Sequence, residues 1–403
     1  MRLDFALLLL AGAVSLACGS TVRNSASAGG AAGAAAMAGA SAAGTGGSPN
    51  GNGGQAGSGN SSGPPADDRP ARPPWDPPIP LGSSGWKSST EPLCEPHQGS
   101  TQAFSVWADK RGVSAFFSTD CNELAEEVCH GTRGSALQFN DGSGWKWLYQ
   151  GGTIVPQLSG LPGRALVLTG SLAGQSGIFL LEDGKLTLSH PLDDPSQSKV
   201  FGVGPELAYA TVGSDVLQYR AGQWQLLQAL PEPPLALWAD EQTLAIVGGN
   251  QTFLLKAGDK DELTQLADAP AGTYTAVWGF DADDLWAGNG VGQLVHYDGA
   301  AWQVIETGSH DSTGSGITAL WGDAGVVYFT TFTEFGRADA DGVELLYARD
   351  PQASPTEPYF SPQSLWGRSA SEVFLTVSDE RFEQYACGSA FIVWFDGKEF
   401  HQF

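Results

Sequence analysis

A frame of aromatic and glycine residues recurs along this chain at intervals of roughly 40 positions, the length of one supersecondary unit. Its clearest copy is "VWGFDADDLWAGNGVGQLVHYDGAAWQVI" (277–305), where Trp278 is followed eight residues on by Trp286, then by "HYDG" and Trp302. "SLWG" at Trp366 has Phe374 eight on, then "WFDG" and Phe400. "ALWG" at Trp321 has Tyr328 seven on, and "VFGV" at Phe201 has Tyr209 eight on. "ALWA" at Trp238 and "VWAD" at Trp107 continue the series, and a degenerate copy places Leu158 in the aromatic position. The anchors Trp107, Leu158, Phe201, Trp238, Trp278, Trp321 and Trp366 are separated by 51, 43, 37, 40, 43 and 45 residues.

Within each unit, short alternating runs such as "LVHYDG" and "VFLTV" are punctuated by Gly and Asp, with no helical period. The Asp-Gly pairs in "YDG", "NDG", "EDG" and "FDG" each join two runs, and Asp-Gly suits the positive φ of a tight hairpin turn. Each unit therefore reads as four strands. One such sheet cannot cover both of its apolar faces, so units must stack, and a ring covers the first and the last. The predicted fold is an all-β, seven-bladed β-propeller of four-stranded antiparallel blades over 81–403. The weakness of the Leu158 unit and the stray "GSSGWK" at Trp86 leave six or eight blades as alternatives. The aromatic anchors are expected to fill the wedges between blades.

The first 18 residues, "MRLDFALLLLAGAVSLAC", read as a signal peptide: one Arg, an apolar run too short to span a bilayer, then small residues. "SLAC" resembles the lipobox of bacterial lipoproteins, which implies acylation of Cys18. Gly19 in place of Asp after that cysteine points in such proteins to the outer membrane or cell surface. Residues 19–80 are almost wholly Gly, Ala, Ser, Asn and Pro, too apolar-poor to offset their ordering entropy, and read as a disordered tether. The formal net charge of −24 argues against nucleic acid and anionic membrane surfaces as partners, leaving the lipid as the membrane contact.

The string "WG…DDLWAGNG…LVHYDG…W" resembles the repeat of bacterial secreted propeller lipoproteins, and is similar to the wider sialidase-like and photosystem-assembly-factor-like repeats. The resemblance implies the fold and is nearly silent on activity. Sialidase chemistry would need a cluster of arginines on the substrate carboxylate, and none stands in an Arg-Ile-Pro context. Quinone-dependent propeller dehydrogenases carry adjacent cysteines, which this chain lacks.

Four cysteines follow Cys18, an even number that favours disulfides in an exported protein. Aligning "CHGTRGSALQFNDG" with "CGSAFIVWFDG" sets Cys129 and Cys387 at equivalent places in the first and last blades. The preferred pairing is Cys121 with Cys129 and Cys94 with Cys387. The rival is a zinc site of Cys94, His97, Cys129 and His130, though no paired CxxC frame supports it.

No catalytic constellation is legible. "GNSSG" (59–63) mimics a nucleophile elbow but lies in the tether. His296 reads as an exposed or half-buried strand residue rather than a ligand. "FDADD" (Asp281, Asp283, Asp284) and "ADADG" (Asp339, Asp341) begin like calcium loops but lack the distant Glu, and read as turns on an acidic surface. No cofactor or metal is expected. The chain reads as an envelope-anchored binding or scaffolding module for a protein, peptide or glycan. The alternative is a hydrolase or lyase acting on an extracellular polymer in the propeller channel. The expected binding loops are Asp120–Arg133, Ser309–Gly316, Thr330–Arg337 and Asp350–Ser361.

Overall fold

The computed structural model describes residues 99–121, 134–150, 154–172, 174–249, 253–258, 262–308, 316–340, 342–348, 360–379 and 389–402. Cys18, Cys94, Cys129 and Cys387, Trp86 and the expected signal peptide and tether lie outside these residues.

The described chain forms seven four-stranded sheets. Within each, strands follow sequence order and pair antiparallel, so every blade is one contiguous stretch of chain. The innermost strands are Gly99–Asp109, Ile154–Leu161, Lys199–Gly204, Pro234–Ala239, Tyr274–Asp281, Ala319–Asp323 and Phe360–Ser369. Each packs on the next, and the last packs on the first, which closes a ring of blades 1 to 7. Seven is the number of blades.

The core is divided to match: seven buried clusters each span one pair of adjacent blades, including the closing pair. Between blades 4 and 5, for instance, Trp238, Val247 and Phe253 meet Tyr274, Leu285 and Val295. A blade is thus buried on both faces, and its second strand lies in the interior, as in Thr243–Gly248, all six residues of which are buried. The strands farthest from the axis, such as Gln223–Ala229, show the half-exposed pattern of a sheet that water reaches.

The recurrent Trp-Gly pair has a simple cause. A Cβ built on Gly279 would meet the Trp238 ring, one on Gly322 the Trp278 ring, and one on Gly367 the Trp321 ring. Each indole lies on the glycine of the following blade, so the tryptophan serves one interface and its neighbouring glycine the other. Gly160 receives Trp107 in the same way. This corrects the register of blade 2: the aromatic position there is Ser159, immediately before Gly160, and Leu158 is one residue early. Leu158 is buried in the cluster between blades 1 and 2 instead.

The anchors also do more than fill wedges. Trp107, Trp238 and Trp321 are 3–4% exposed. Phe201, Trp278 and Trp366, from blades 3, 5 and 7, are half-buried and meet one another across the ring, with centroids 6.1, 6.0 and 5.6 Å apart. These are favourable tilted and edge-on geometries. The three rings form an aromatic floor across the axis.

The Asp-Gly turns join third and outer strands as read, by two mechanisms. In "EDG" both Asp183 and Gly184 hold positive φ, 50° and 75°, as a two-residue hairpin turn demands. In "YDG" and "FDG" only the glycine does; Asp298 and Asp396 each accept two amide hydrogen bonds through Oδ1. Thr330–Arg337, expected as a long loop, is a short hairpin: one strand ends at Thr330, the next begins at Glu334, and Thr331 N donates to Glu334 O at 3.0 Å.

Candidate functional site

Up-and-down topology sorts the connections by face. Inner strands start, and second strands end, at one rim of the ring. The three remaining expected loops all spring from that rim: after Cys121, before Ala319 and before Phe360. A further long connection, between Asp379 and Ser389, opens there too. Three large apolar side chains stand exposed on the same rim in consecutive blades: Leu235 (38%), Val291 (72%) and Phe332 (47%) of blades 4, 5 and 6. This is the candidate functional face that the topology singles out.

At its centre opens a socket of ≈ 170 Å³, lined by inner-strand residues of all seven blades and therefore lying on the axis. Phe201, Trp278 and Trp366 line it, so the aromatic floor closes one end. One layer of its wall comes from the position two residues before each anchor. Going round the ring, blades 7, 1, 2 and 3 contribute Ser364, Ser105, Gln157 and Lys199, and blades 4, 5 and 6 contribute Ala236, Ala276 and Ala319. In this layer the wall is polar over one arc and apolar over the other, with Thr275 and Thr318 lining the apolar side from the adjacent positions.

Most of the polar arc has structural work. Ser105 Oγ accepts from Leu158 N at 3.2 Å, Gln157 Oε1 from Val200 N at 3.0 Å, and Ser364 Oγ from Val106 N at 3.3 Å. Each bond ties an inner strand to the amide of the next blade. Ser159 adds a second tie, accepting from Gly202 N at 2.9 Å. Lys199 occupies the equivalent place in blade 3, yet an ammonium has no lone pair to accept an amide. It is the one charged side chain lining the socket, and no acid pairs with it among the described residues. Burial pushes its pKa below the ordinary lysine value.

A second cavity, ≈ 360 Å³, lies between blades 1 and 2, where Ser114 faces Trp107 at a place held by Tyr209, Trp286, Tyr328 or Phe374 in other blades. Its arginines are already engaged: Arg111 with Asp109 at 2.9 Å, Arg164 with Glu182 and Glu206 at 3.1 and 2.6 Å.

The other candidates from sequence resolve as structure. Asp281 Oδ1 accepts from Asp283 N, and Asp339 Oδ1 from Gly342 N, both within turns. Asp284 Oδ1 accepts from Trp286 Nε1 at 3.0 Å and lies 2.9 Å from His296 Nε2, whose ring stacks on Trp286. Among the described residues no three His, Cys, Asp or Glu side chains are placed to share a metal ion. Lys199 is the site residue that sequence reasoning passes over. The available signal was a lysine two positions before an anchor, where other copies carry Ser, Gln or Ala.

No protein-family model matches the chain, and no curated protein matches it in sequence. Solved structures do match in shape. YCF48 from Cyanidioschyzon merolae superposes with a TM-score of 0.51 at 14% identity, covering 78% of this chain and 99% of that one. The WD40 β-propeller domain of Doa1 gives a TM-score of 0.51 at 12% identity, covering 74% and 95%. At such identities the likeness is one of fold, and with the seven closed sheets it makes this chain a seven-bladed β-propeller.

Proposed function

We propose that the propeller is a non-catalytic binding or scaffolding module, held at the bacterial envelope by a lipid on Cys18, that grips a protein, peptide or glycan with its loop-bearing face. The observation that carries this reading is the make-up of that face. It combines exposed Leu235, Val291 and Phe332 on the rim with an axial socket whose lining holds hydrogen-bond donors but no carboxylate. A polymer hydrolase or lyase in the channel would call for two carboxylates facing each other across a polar cleft. Exposed apolar side chains beside a polar pocket are instead what an interface core and its rim require. Proteins of unrelated activity share the fold, so the face and not the architecture supports the assignment.

The decisive experiment is a pull-down from envelope extract with the full-length chain, alongside a variant with Val291→Glu and Phe332→Glu. Retention of a discrete partner by the parent and its loss with the double variant supports the reading; a partner held equally by both overturns it. The outer-membrane or surface address follows the lipobox. Cys18→Ser should move the chain from the membrane pellet to the soluble envelope fraction, and an unchanged pellet would refute lipid anchoring. The pairing of Cys121 with Cys129 and Cys94 with Cys387 belongs to the same proposal, and peptide mapping without reduction reads it directly.

A further inference from the structure

We infer that the axial socket is built to receive a carboxylate presented by an apolar segment of a partner polypeptide, with Lys199 as the group that pairs with it. The assignment rests on the binding-module reading and names the chemistry that its face would recognise.

Four observations converge on it. First, Lys199 stands where Ser105, Gln157 and Ser364 do interblade work that a lysine cannot do, so packing does not explain its presence. A half-buried ammonium without an acid costs the fold stability, and such a cost is retained where function uses the charge. Second, its neighbours have donor capacity to spare. Gln157 and Ser364 spend their oxygens on backbone amides as acceptors, leaving the Gln157 amide NH₂ and the Ser364 hydroxyl hydrogen unassigned beside the socket. Donors grouped around a cation, with no carboxylate among them, specify an anionic oxygen ligand.

Third, size limits the occupant. A space of ≈ 170 Å³ is well below the roughly 300–1,000 Å³ of pockets that enclose a whole drug-sized ligand, so the socket suits one side chain or a chain terminus. Fourth, the opposite arc leaves a hydroxyl-rich ligand little to bond. Ala236, Ala276 and Ala319 are apolar, the hydroxyls of Thr275 and Thr318 on that arc are engaged with Ile317 O at 2.6 Å and with Thr330 O at 3.2 Å, and the floor is aromatic. The exposed Leu235, Val291 and Phe332 continue this apolar sector outward over the same blades, 4 to 6. A carboxylate with apolar neighbours matches both arcs, and an acidic sugar matches only one.

The net charge of −24 does not contradict this. Surface charges are screened over about 8 Å at physiological salt, whereas a contact inside a socket that excludes water is screened little. The molecule's field slows the approach of an acidic partner; the local lysine decides whether it stays.

The test uses the full-length chain with its lysines ¹³C-dimethylated, which preserves their charge, and follows the Lys199 methyl signal, identified by its absence in Lys199→Met. The probes are acetyl-Phe-Glu-Phe-amide and its Gln counterpart. The Glu peptide should shift the signal saturably, and the Gln peptide should bind at least about tenfold more weakly. Ala236→Glu, which supplies an internal carboxylate from the next blade, should abolish the response while leaving the methyl spectrum dispersed. Equal binding of the two peptides, or a Lys199 signal that moves with neither, would overturn the inference. If the pull-down partner is then still held through Val291 and Phe332, the module stands and only the socket assignment falls.

Discussion

Lys199 shows how one residue can be out of step with a repeat that otherwise explains its neighbours. Because burial depresses its pKa, it withholds stability while it is protonated in both folded and unfolded chains. Between the depressed folded value and the ordinary 10.5, the unfolded chain binds more protons, so stability rises with pH through that window. Lys199→Met should therefore raise Tm at pH 7 by about 1–3 °C, with the gain vanishing as pH climbs above that window; calorimetry reads both. A lower Tm would mean that the lysine has a structural partner. Gly367 makes the opposite case, a residue wholly explained by the repeat. A Cβ there would sit 2.5 Å from Trp321 Cη2, so Gly367→Ala must displace an indole that is 4% exposed. Denaturant unfolding should show a loss of about 1–3 kcal/mol, the cost of overpacking a filled core.

At the scale of the strand and its turn, the sequence was most legible where spacing alone carried the information. The return of an aromatic every forty-odd residues announced the blades, and Asp-Gly announced the outer hairpins. What stayed hidden was whatever depends on a neighbouring blade. Leu158, with Leu166 eight residues on, fits the anchor spacing as well as Ser159 with Val167 does, and only the glycine that receives the preceding indole, Gly160, marks Ser159 as the true position. In Thr330–Arg337 the turn between the strands has neither Gly nor Asn to mark it, yet Thr331 Oγ1 accepts from Thr333 N and closes a hairpin without them. The inward tilt of Phe201, Trp278 and Trp366 could not be read at all, since their sequence frames match those of the anchors that stay in the wedges. The turn aspartates allow a test of their capping role. Burial opposes ionisation of Asp396, but the Glu399 amide, His401 and the Lys398 amide outweigh it and hold its pKa below the ordinary carboxylate value. A depressed acid contributes stability that is present above about pH 4 and is lost as pH falls through its folded pKa. Asp396→Ala should cost about 1 kcal/mol or less at pH 7, this turn being water-screened, and should converge on the parent in urea titrations as pH falls through the depressed folded pKa of Asp396. A gap that persists in acid would assign the role of Asp396 to packing instead.

For the molecule as a whole, the consequential fact is that every blade is a single stretch of chain, so among the described residues no strand from one terminus completes a sheet begun by the other. Among the described residues, side-chain packing and side-chain hydrogen bonds hold the ring shut between blades 7 and 1. Phe374 and Ile392 pack on Val106, Ala115 and Phe117; Trp366 Nε1 donates to Ala108 O at 3.1 Å, and Arg368 Nη1 to Asp109 O at 2.9 Å. Arg368 also pairs with Glu372 at 2.7 Å, with 8% of its side chain exposed. The other six interfaces each have the chain running from one blade into the next, which keeps the partners close even when packing loosens. The closing seam has no such link among the described residues, so with the proposed Cys94–Cys387 pair reduced it is where the ring should open first. Arg368→Ala removes charged hydrogen bonds to Asp109 O and Glu372 together and should cost about 2–4 kcal/mol. More tellingly, native-state hydrogen exchange should then accelerate in Gly99–Asp109 and Phe360–Ser369 while Tyr274–Asp281, on the far side of the ring, keeps its protection. Uniform acceleration across all seven inner strands would mean that the ring unfolds only as a unit and that the seam is no weaker than the rest.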